Sequence, residues 1–242
     1  MKGSYLGTGY SNEEIESELK QQNLTYKKFN DEKLYKFIAK ELSNGKIIGR
    51  FDGRMEFGPR ALGNRSILAD PRNKEMQSKL NRKIKFRESF RPFAPTVLEE
   101  HVDKYFDTKN LSPYMLLTSD VKGVEINPIS STNLLDQLSA INSYLPAITH
   151  VDGSARIQTV SNEINENYYN LINEFYNQTN CPVVVNTSFN VRGEPIVESP
   201  KDAIRCFLNT NIDILAIGNF IVDKLDQKID IKIEYDIQPG LD

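Results

Sequence analysis

Short apolar runs alternate with amphipathic helical stripes along this chain, and the alternation constrains its fold more than any other feature. Runs typical of strands occur at 46–51, 155–160, 182–185 and 213–217. Between them, apolar residues recur at three- and four-residue spacing, the pattern of one helix face. Strands that alternate with helices predict a layered α/β domain. At 242 residues the chain is long enough for one sizeable domain with a small appendage.

Local signals at both ends of the chain suggest how it is organised. Ser11 and Glu14 form a capping-box pattern at a helix start. A second amphipathic helix ends at Asn44 and Gly45, just before the first apolar run. We therefore expect a helical N-terminal arm or linker over 1–45, the main domain over 46–224 and a peripheral tail over 225–242.

Positive charge is concentrated in one segment of an otherwise acidic chain. Between Arg54 and Arg91 there are eleven Lys or Arg and four Asp or Glu, whereas the whole chain has a formal net charge of −3. Such focusing indicates an anionic ligand, with a solvated basic face as the alternative. Gly, Pro, Phe and Ala between the cations are not typical of a flexible basic tail. Pro59 suits the first turn of a helix, which would bring Arg60 near free amides that favour anions.

Two pairs of polar residues share a two-residue spacing. Lys85 and Arg87 would leave the same face of an extended segment and form a two-cation clamp. Ser188 and Asn190 follow a buried apolar run, where α/β sheets place ligand-binding loops. Together with Asn186 they offer donors and acceptors for a phosphate or a carbamoyl amide. The alternative for these three residues is turn chemistry, because short polar side chains bond their own backbone.

Residues 149–156 combine a histidine, an acid, a serine and an arginine. His150, Asp152 and Ser154 could be a general base and nucleophile, but three residues so close in sequence seldom meet in line. His150 is equally compatible with a structural role. Arg156, at the start of a predicted strand, is better explained as another anion contact.

Other features exclude whole classes of site. The glycine spacing matches neither a dinucleotide-binding loop nor a P-loop, so a bound nucleotide would be held by side-chain cations. Two histidines and two cysteines without a Cys-x-x-Cys pair predict no metal centre and no disulfide framework. No apolar run approaches the roughly 18 residues of a membrane span, and the N-terminus lacks a signal-peptide core. We expect a cytoplasmic protein with no membrane partner.

Four sequence blocks resemble one known family, in the family's order. They are GRMEFGPRALGNRS at 53–66, KFRE at 85–88 with FRPFAP at 90–95, HVDGSAR at 150–156, and NTSFNVRGEPI at 186–196. In these blocks the chain resembles the C-terminal half of the NodU-type carbamoyltransferases, which include the antibiotic O-carbamoyltransferases of the tobramycin and cephamycin pathways. The resemblance spans nearly the whole chain.

The resemblance implies a YrdC-like fold, a mixed twisted sheet with flanking helices, in which Lys-x-Arg and Ser-x-Asn signatures line a positively charged cavity. It also implies that the domain uses carbamoyl phosphate and ATP, with Mg²⁺ bound to the nucleotide, to make carbamoyl-adenylate and pyrophosphate. The implied catalytic residues are Lys85, Arg87, Ser188 and Asn190. The expected substrate and nucleotide contacts are Arg54, Arg60, Arg65, Arg91, Arg156, Asn186 and Arg192.

This chain has no counterpart of the family's N-terminal actin-like domain, which passes the carbamoyl group to a hydroxyl acceptor. We therefore expect adenylate formation here and expect the transfer step to need that domain, in the same parent protein or in a separate chain. Two further hypotheses stay open: an RNA-binding YrdC-like module, which the acidic net charge disfavours, and a non-catalytic nucleotide-binding or docking module.

Overall fold

The computed structural model describes residues 3–127, 130, 132–133, 136–137 and 140–227, so most of the predicted tail lies outside the described residues. The helices within them are α1 (Asn12–Gln21), α2 (Asp31–Ser43), α3 (Met76–Leu80), α4 (Val102–Tyr105), α5 (Glu166–Thr179) and α6 (Pro200–Leu208). The strands are β1 (Lys27–Lys28), β2 (Ile48–Phe51), β3 (Arg65–Ala69), β4 (Ala94–Leu98), β5 (Leu117–Asp120), β6 (Glu125–Ile126), β7 (Ile141–Asn142), β8 (Ser154–Val160), β9 (Val183–Ser188), β10 (Ile214–Ile217) and β11 (Phe220–Asp223).

Nine of these strands form one sheet in the order β1-β11-β10-β2-β3-β9-β4-β8-β5, and β6 pairs with β7 separately. The pairs β10 with β2 and β4 with β8 are parallel, whereas the other neighbours in the large sheet are antiparallel. The expected mixed α/β fold with flanking helices is therefore confirmed. No helix among the described residues combines the length and apolarity that crossing a bilayer requires.

The predicted helix start at Ser11 is confirmed by its side-chain cap. Ser11 Oγ accepts from the Glu14 amide, and the Glu14 carboxylate accepts from the Ser11 amide at 2.7 Å. Ser199 and Asp202 form the same reciprocal pair at the start of α6, with Pro200 in its first turn. Each cap satisfies amide donors that have no partner within the helix.

The N-terminal arm is helical and packs into the same core as the rest of the chain. Helix α2 packs along α5, α1 contacts α6, and β1 pairs with β11 at one edge of the sheet. Apolar residues of the arm, including Ile15, Leu19 and Ile38, are buried in the main hydrophobic cluster. The arm therefore adds apolar area to the core despite its polar composition.

The predicted helix starting at Pro59 is wrong, because residues 56–64 form an irregular loop. Gly58 and Gly63 have φ of 129° and 120°, values foreign to a helix. The carboxylate of Glu56 accepts from the Leu62 amide at 2.7 Å and from the Asn64 amide at 2.8 Å, so side-chain hydrogen bonds replace a helical ladder. The chain then enters β3, a strand that the sequence patterns did not predict.

Lys85 and Arg87 do not lie in an extended segment as predicted. Helix α3 continues as a π-helical turn over Asn81–Lys85, and Phe86 then adopts a left-handed conformation with φ of 48°. This reversal separates the directions of the two side chains. Lys85 is thus a buried residue at the end of a helical turn, and Arg87 follows the bend.

Candidate anion-binding site

A cavity of about 150 Å³ lies where β9 ends, beside the 56–64 loop and the start of β4. The charged and polar residues of its lining are Arg60, Arg87, Arg156, Asn186, Thr187 and Ser188. The lining contains three guanidinium groups and no carboxylate. Its charge therefore favours an anion.

The arginines of this cavity are held close together with incomplete hydrogen bonding. The Nε atoms of Arg60 and Arg156 are buried and have no hydrogen-bond partner in the structure. Burial lowers the pKa of Arg156, and the charge of Arg60 lowers it further. Burial, and then the charge of Arg91, lowers the pKa of Arg87 to about 10. Unpaired, crowded cations of this kind are stabilised by a bound anion.

Lys85 lies beside the cavity, and its ammonium group is hydrogen-bonded to other residues of the protein. Its Nζ donates to Asn190 Oδ1 at 2.8 Å and Asn190 O at 3.0 Å, and to the backbone oxygen and Oγ of Ser188. Ser188 Oγ donates to Asn190 Oδ1 at 2.6 Å. Burial, and then the charge of Arg87, lowers the pKa of Lys85 to about 7. The two signature pairs thus meet, with Lys85 bonded to Ser188 and Asn190.

Arg87 has different partners, so the predicted two-cation clamp does not form. Its Nε donates to Asn81 Oδ1 at 2.6 Å, and its guanidinium lies 4.9 Å from the ring centroid of Phe93. These contacts orient Arg87, which lines the cavity, whereas Lys85 does not. Within the Lys-x-Arg signature, the arginine is therefore the member that lines the cavity.

Asn186 lies on β9 against two buried polar residues that the sequence analysis missed. Asn186 Nδ2 donates to Gln158 Oε1 at 2.8 Å and to Thr96 Oγ1 at 3.1 Å. Thr96 and Gln158 lie on β4 and β8 and are at most 1% exposed. The signal available in the sequence was a polar residue within a run that otherwise predicts a buried strand. Such a residue does not indicate which cavity it lies behind.

Two of the predicted contact residues are held away from the cavity. The guanidinium of Arg54 donates to the carbonyls of Leu6 and Gly7 at 2.7 and 2.9 Å. Arg65 is fully buried, stacks 3.6 Å from the ring centroid of Phe51 and donates to four backbone carbonyls. Burial lowers its pKa to about 10. Both arginines tie the N-terminal arm and the 51–65 turn together.

Arg91 and Arg192 also lie outside the cavity lining. The Nε of Arg91 is 3.0 Å from Glu88 Oε2, and its charge acts on the neighbouring Arg87. Arg192 is exposed on the turn after β9. Arg60 and Arg156, by contrast, belong to the lining.

The 150–156 segment has no catalytic triad geometry. Ser154 Oγ lies 3.2 Å from His150 Nδ1 and donates to Asp152 Oδ1 at 2.7 Å, so both groups contact the same hydroxyl. A triad instead needs the acid to orient the histidine. Arg156, two residues on, is the member of this segment that lines the cavity.

The same lining is poorly suited to a metal ion. Over the ranges that the structure describes, no group of three or more His, Cys, Asp or Glu side chains is placed to hold a metal ion. Mg²⁺ prefers oxygen ligands, especially carboxylates, and the cavity lining supplies guanidinium and neutral groups. The residues present therefore fit phosphate oxygens better than they fit a cation.

Comparison with known proteins identifies the family of this chain. Residues 39–224 match the family described as Carbamoyltransferase C-terminus. The match covers most of the chain, and this chain belongs to that family.

Three relatives show the extent of the similarity. The chain is 52% identical to the uncharacterized protein sll1178 of Synechocystis, over 94% of this chain and 38% of that protein. It is 46% identical to nodulation protein NolO of Bradyrhizobium diazoefficiens, over 76% of this chain and 31% of the relative. It is 35% identical to 3'-hydroxymethylcephem-O-carbamoyltransferase of Amycolatopsis lactamdurans, over 75% of this chain and 31% of that protein. The chain thus spans about a third of the length of these relatives.

Proposed function

We propose that this chain is the part of a carbamoyltransferase that binds carbamoyl phosphate and ATP and forms carbamoyl-adenylate. One observation carries the proposal: two buried arginine Nε atoms and one buried amide oxygen, all without partners, belong to side chains that line a single cavity. The donors suit phosphate oxygens, and the amide oxygen of Asn186 suits an N–H group. Carbamoyl phosphate carries both.

The cavity volume matches the smaller substrate. At about 150 Å³ the cavity is well below the roughly 300 Å³ at which pockets for drug-sized ligands begin. It accommodates a phosphate with a small acyl group. Most of ATP would lie outside it, with the triphosphate beside Arg87 at the cavity wall. Mg²⁺ would arrive on the nucleotide, since phosphate oxygens are its preferred partners.

The proposed chemistry needs several fixed cations at one place. Water cleaves carbamoyl phosphate to carbamate and phosphate. A carbamate oxygen then attacks the α-phosphorus of ATP, and pyrophosphate leaves. Arg60, Arg87 and Arg156 would offset the repulsion between the anions and the charge that develops during phosphoryl transfer. Holding both reactants together also keeps the short-lived carbamate from escaping.

The remaining step would be transfer of the carbamoyl group to a hydroxyl. The resemblance assigns that step to an actin-like domain in the same parent protein or in a separate chain. The relatives are about three times longer than the matched region, which leaves room for such a domain in them. The name of the cephem relative indicates a hydroxyl acceptor for that protein. We infer a hydroxyl acceptor here as well, and the other domain would choose it.

Release of pyrophosphate tests the proposal. The chain is incubated with Mg²⁺, ATP and carbamoyl phosphate, and pyrophosphate is measured against reactions that lack one substrate. We expect release only with both substrates, and at least about a tenfold loss in Arg156→Ala. Arg82→Ala removes an exposed arginine of the same basic segment and should leave the rate unchanged.

The other two hypotheses predict different results. A non-catalytic nucleotide-binding module would bind ATP in isothermal titration but release no pyrophosphate. An RNA-binding module would show RNA affinity that falls steeply with salt and does not depend on Arg156. ATP binding by folded protein that releases no pyrophosphate would overturn the proposed activity, and so would salt-sensitive RNA affinity in a folded chain that releases none.

A further inference from the structure

A buried polar network behind the cavity determines how Asn186 is oriented. Asn186, Thr96 and Gln158 lie on the adjacent strands β9, β4 and β8, and each is at most 1% exposed. Asn186 Nδ2 donates to Gln158 Oε1, and Thr96 Oγ1 donates to the same oxygen at 2.7 Å. Three neighbouring strands thus contribute one side chain each to a single connected network.

Backbone carbonyls of the 56–64 loop determine which way both amides face. Asn186 Nδ2 lies 3.2 Å from the carbonyl oxygen of Ala61, and Gln158 Nε2 donates to the carbonyl oxygen of Leu62 at 2.9 Å. A carbonyl can only accept a hydrogen bond, so each of these contacts requires the NH₂ end of the amide. Turning either amide over would bring two acceptors together. The loop that carries Arg60 therefore also orients Asn186.

This arrangement leaves Asn186 Oδ1 without a donor. The atom is buried and has no hydrogen-bond partner in the structure, although Asn186 lines the cavity. A buried acceptor without a partner is unfavourable. The other unpartnered atoms on side chains of the lining, Arg60 Nε and Arg156 Nε, are donors. A ligand that satisfies all three must present acceptor oxygens in one part and an N–H group in another.

We propose that Asn186 Oδ1 accepts a hydrogen bond from the NH₂ group of carbamoyl phosphate and thereby selects it over acyl phosphates that carry a methyl group instead. Thr96 and Gln158 are positioning residues that hold Asn186 in this orientation. The inference rests on the proposed function, because it takes carbamoyl phosphate as the ligand. A site built to bond an N–H group rejects the analogue that lacks it, since the buried acceptor is then left unpaired.

Binding requires a small movement at the cavity wall. Water does not reach Asn186 Oδ1 in the structure, so its donor must enter together with the ligand. Met115 and Arg156 both line the cavity, and a weak bond of 4.0 Å joins Arg156 Nη2 to Met115 Sδ. Both side chains are long and flexible, and an anion that attracts Arg156 would draw it away from Met115.

Two stable ligands test the inference directly. Phosphonoacetamide keeps the NH₂ and carbonyl groups of carbamoyl phosphate and replaces its bridging oxygen with CH₂, which makes it stable to hydrolysis. Acetonylphosphonate differs from phosphonoacetamide only in having CH₃ in place of NH₂. Isothermal titration gives the Kd of each, with inorganic phosphate as a third ligand. We expect the wild-type chain to bind phosphonoacetamide about tenfold to a hundredfold more tightly than acetonylphosphonate, the range for one unpaired buried group.

Variants of the buried polar network test whether it causes the preference for phosphonoacetamide. Asn186→Leu removes the acceptor and should reduce the preference to about one. Thr96→Val removes one hydroxyl with little change in shape and should reduce the preference while leaving the Kd for inorganic phosphate within about twofold. Thr210→Val removes a buried hydroxyl that bonds to Cys206 O away from the cavity, and it should retain the full preference.

The outcomes separate the inference from the proposed function. A wild-type chain that binds none of the three ligands would overturn the proposed function and this inference with it. Binding of both analogues with equal affinity would overturn the inference and leave anion binding intact. Retention of the full preference in Asn186→Leu would also overturn it. If that variant does not fold, the ratio of the two Kd values in the wild type, and its change in Thr96→Val, still test the inference.

Discussion

The ammonium of Lys85 lies 2.8 Å from Asn190 Oδ1, so the Lys-x-Arg and Ser-x-Asn signatures of this chain are hydrogen-bonded to each other. Ser188 contributes two more oxygens and Asn190 its backbone carbonyl to the same Nζ. Lys85 thus joins the π-helical turn to the segment that ends β9. Arg60, Arg87 and Arg156 remain as the cations that line the cavity.

The environment of Lys85 predicts a dependence of stability on pH. Burial, and then the charge of Arg87, lowers its pKa to about 7 in the folded chain, against about 10.4 when unfolded. Between these values the unfolded chain binds more protons, so the free energy of unfolding rises with pH. Lys85→Met lacks this contribution. The stability of the wild type relative to Lys85→Met should therefore increase from pH 7 to pH 9.5 in urea denaturation.

The exposed Lys83→Met variant is the control for this measurement, and its difference from the wild type should stay flat over the same range. Other titrating groups are common to wild type and variant and cancel. A flat difference for Lys85→Met would show that the four surrounding oxygens keep the ammonium charged, contrary to the prediction.

Arg156 should lower the stability of the empty protein while it favours anion binding. Its Nε is buried without a partner, and burial followed by the charge of Arg60 lowers its pKa. Arg156→Leu should raise Tm by about 2–4 °C, the shift that 1 kcal/mol produces at this chain length. The same variant should weaken inorganic phosphate binding at least about tenfold. Calorimetry of Arg156→Leu and of the exposed Arg82→Leu, with and without phosphate, checks both effects. A lower Tm for Arg156→Leu without ligand would contradict the prediction.

Gly63 is required by the packing of the loop against α5. A Cβ at this position would lie 2.3 Å from Tyr168 Cδ1, and φ is 120°. Gly58 has a similar φ of 129° but nothing within 4 Å of its Cβ position. Gly63→Ala should therefore cost about 1–3 kcal/mol more than Gly58→Ala, because only Gly63→Ala adds overpacking to backbone strain. Urea denaturation of the two variants measures the difference, and equal losses would rule out the packing explanation.

Glu56 should stabilise the same loop through its carboxylate. Its Oε1 accepts from the amides of Leu62, Asn64 and Arg65. Glu56→Ala leaves these amides without their acceptor, which should cost about 3 kcal/mol or more at about 1–3 kcal/mol per buried group. Glu56→Gln keeps one oxygen in place and should cost less. Phosphate affinity should fall with stability in Glu56→Ala, because the loop carries Arg60. Wild-type stability in Glu56→Ala would disprove this role.

Much of the local structure was predictable because its causes are local. The capping pair at Ser11, the amphipathic stripe of α2 and the apolar run of β9 each depend on residues within a few positions of one another. The helix predicted at Pro59 does not form, because proline is tolerated in the first turn of a helix but does not by itself start one. Two glycines with positive φ and the carboxylate of Glu56 decide the conformation there.

The residues around the site were predictable only in part. Arg60, Arg156 and Ser188 were expected at the cavity and lie there, whereas Arg54 and Arg65 have the same charge but donate to backbone carbonyls. The presence of an arginine in the sequence does not show which acceptors its guanidinium group will bond to. That depends on which oxygens the fold places within reach.

By itself, the sequence determined the family, the alternation of strands and helices, and the concentration of positive charge. Only the tertiary structure decided which charges face the cavity and which bond internally, because those contacts join distant segments. Lys85 meets Ser188 across 103 residues, and Gln158 meets the Leu62 carbonyl across 96. Local propensities act over a few residues, whereas such pairings arise when the sheet order brings β9, β4 and β8 together behind one loop.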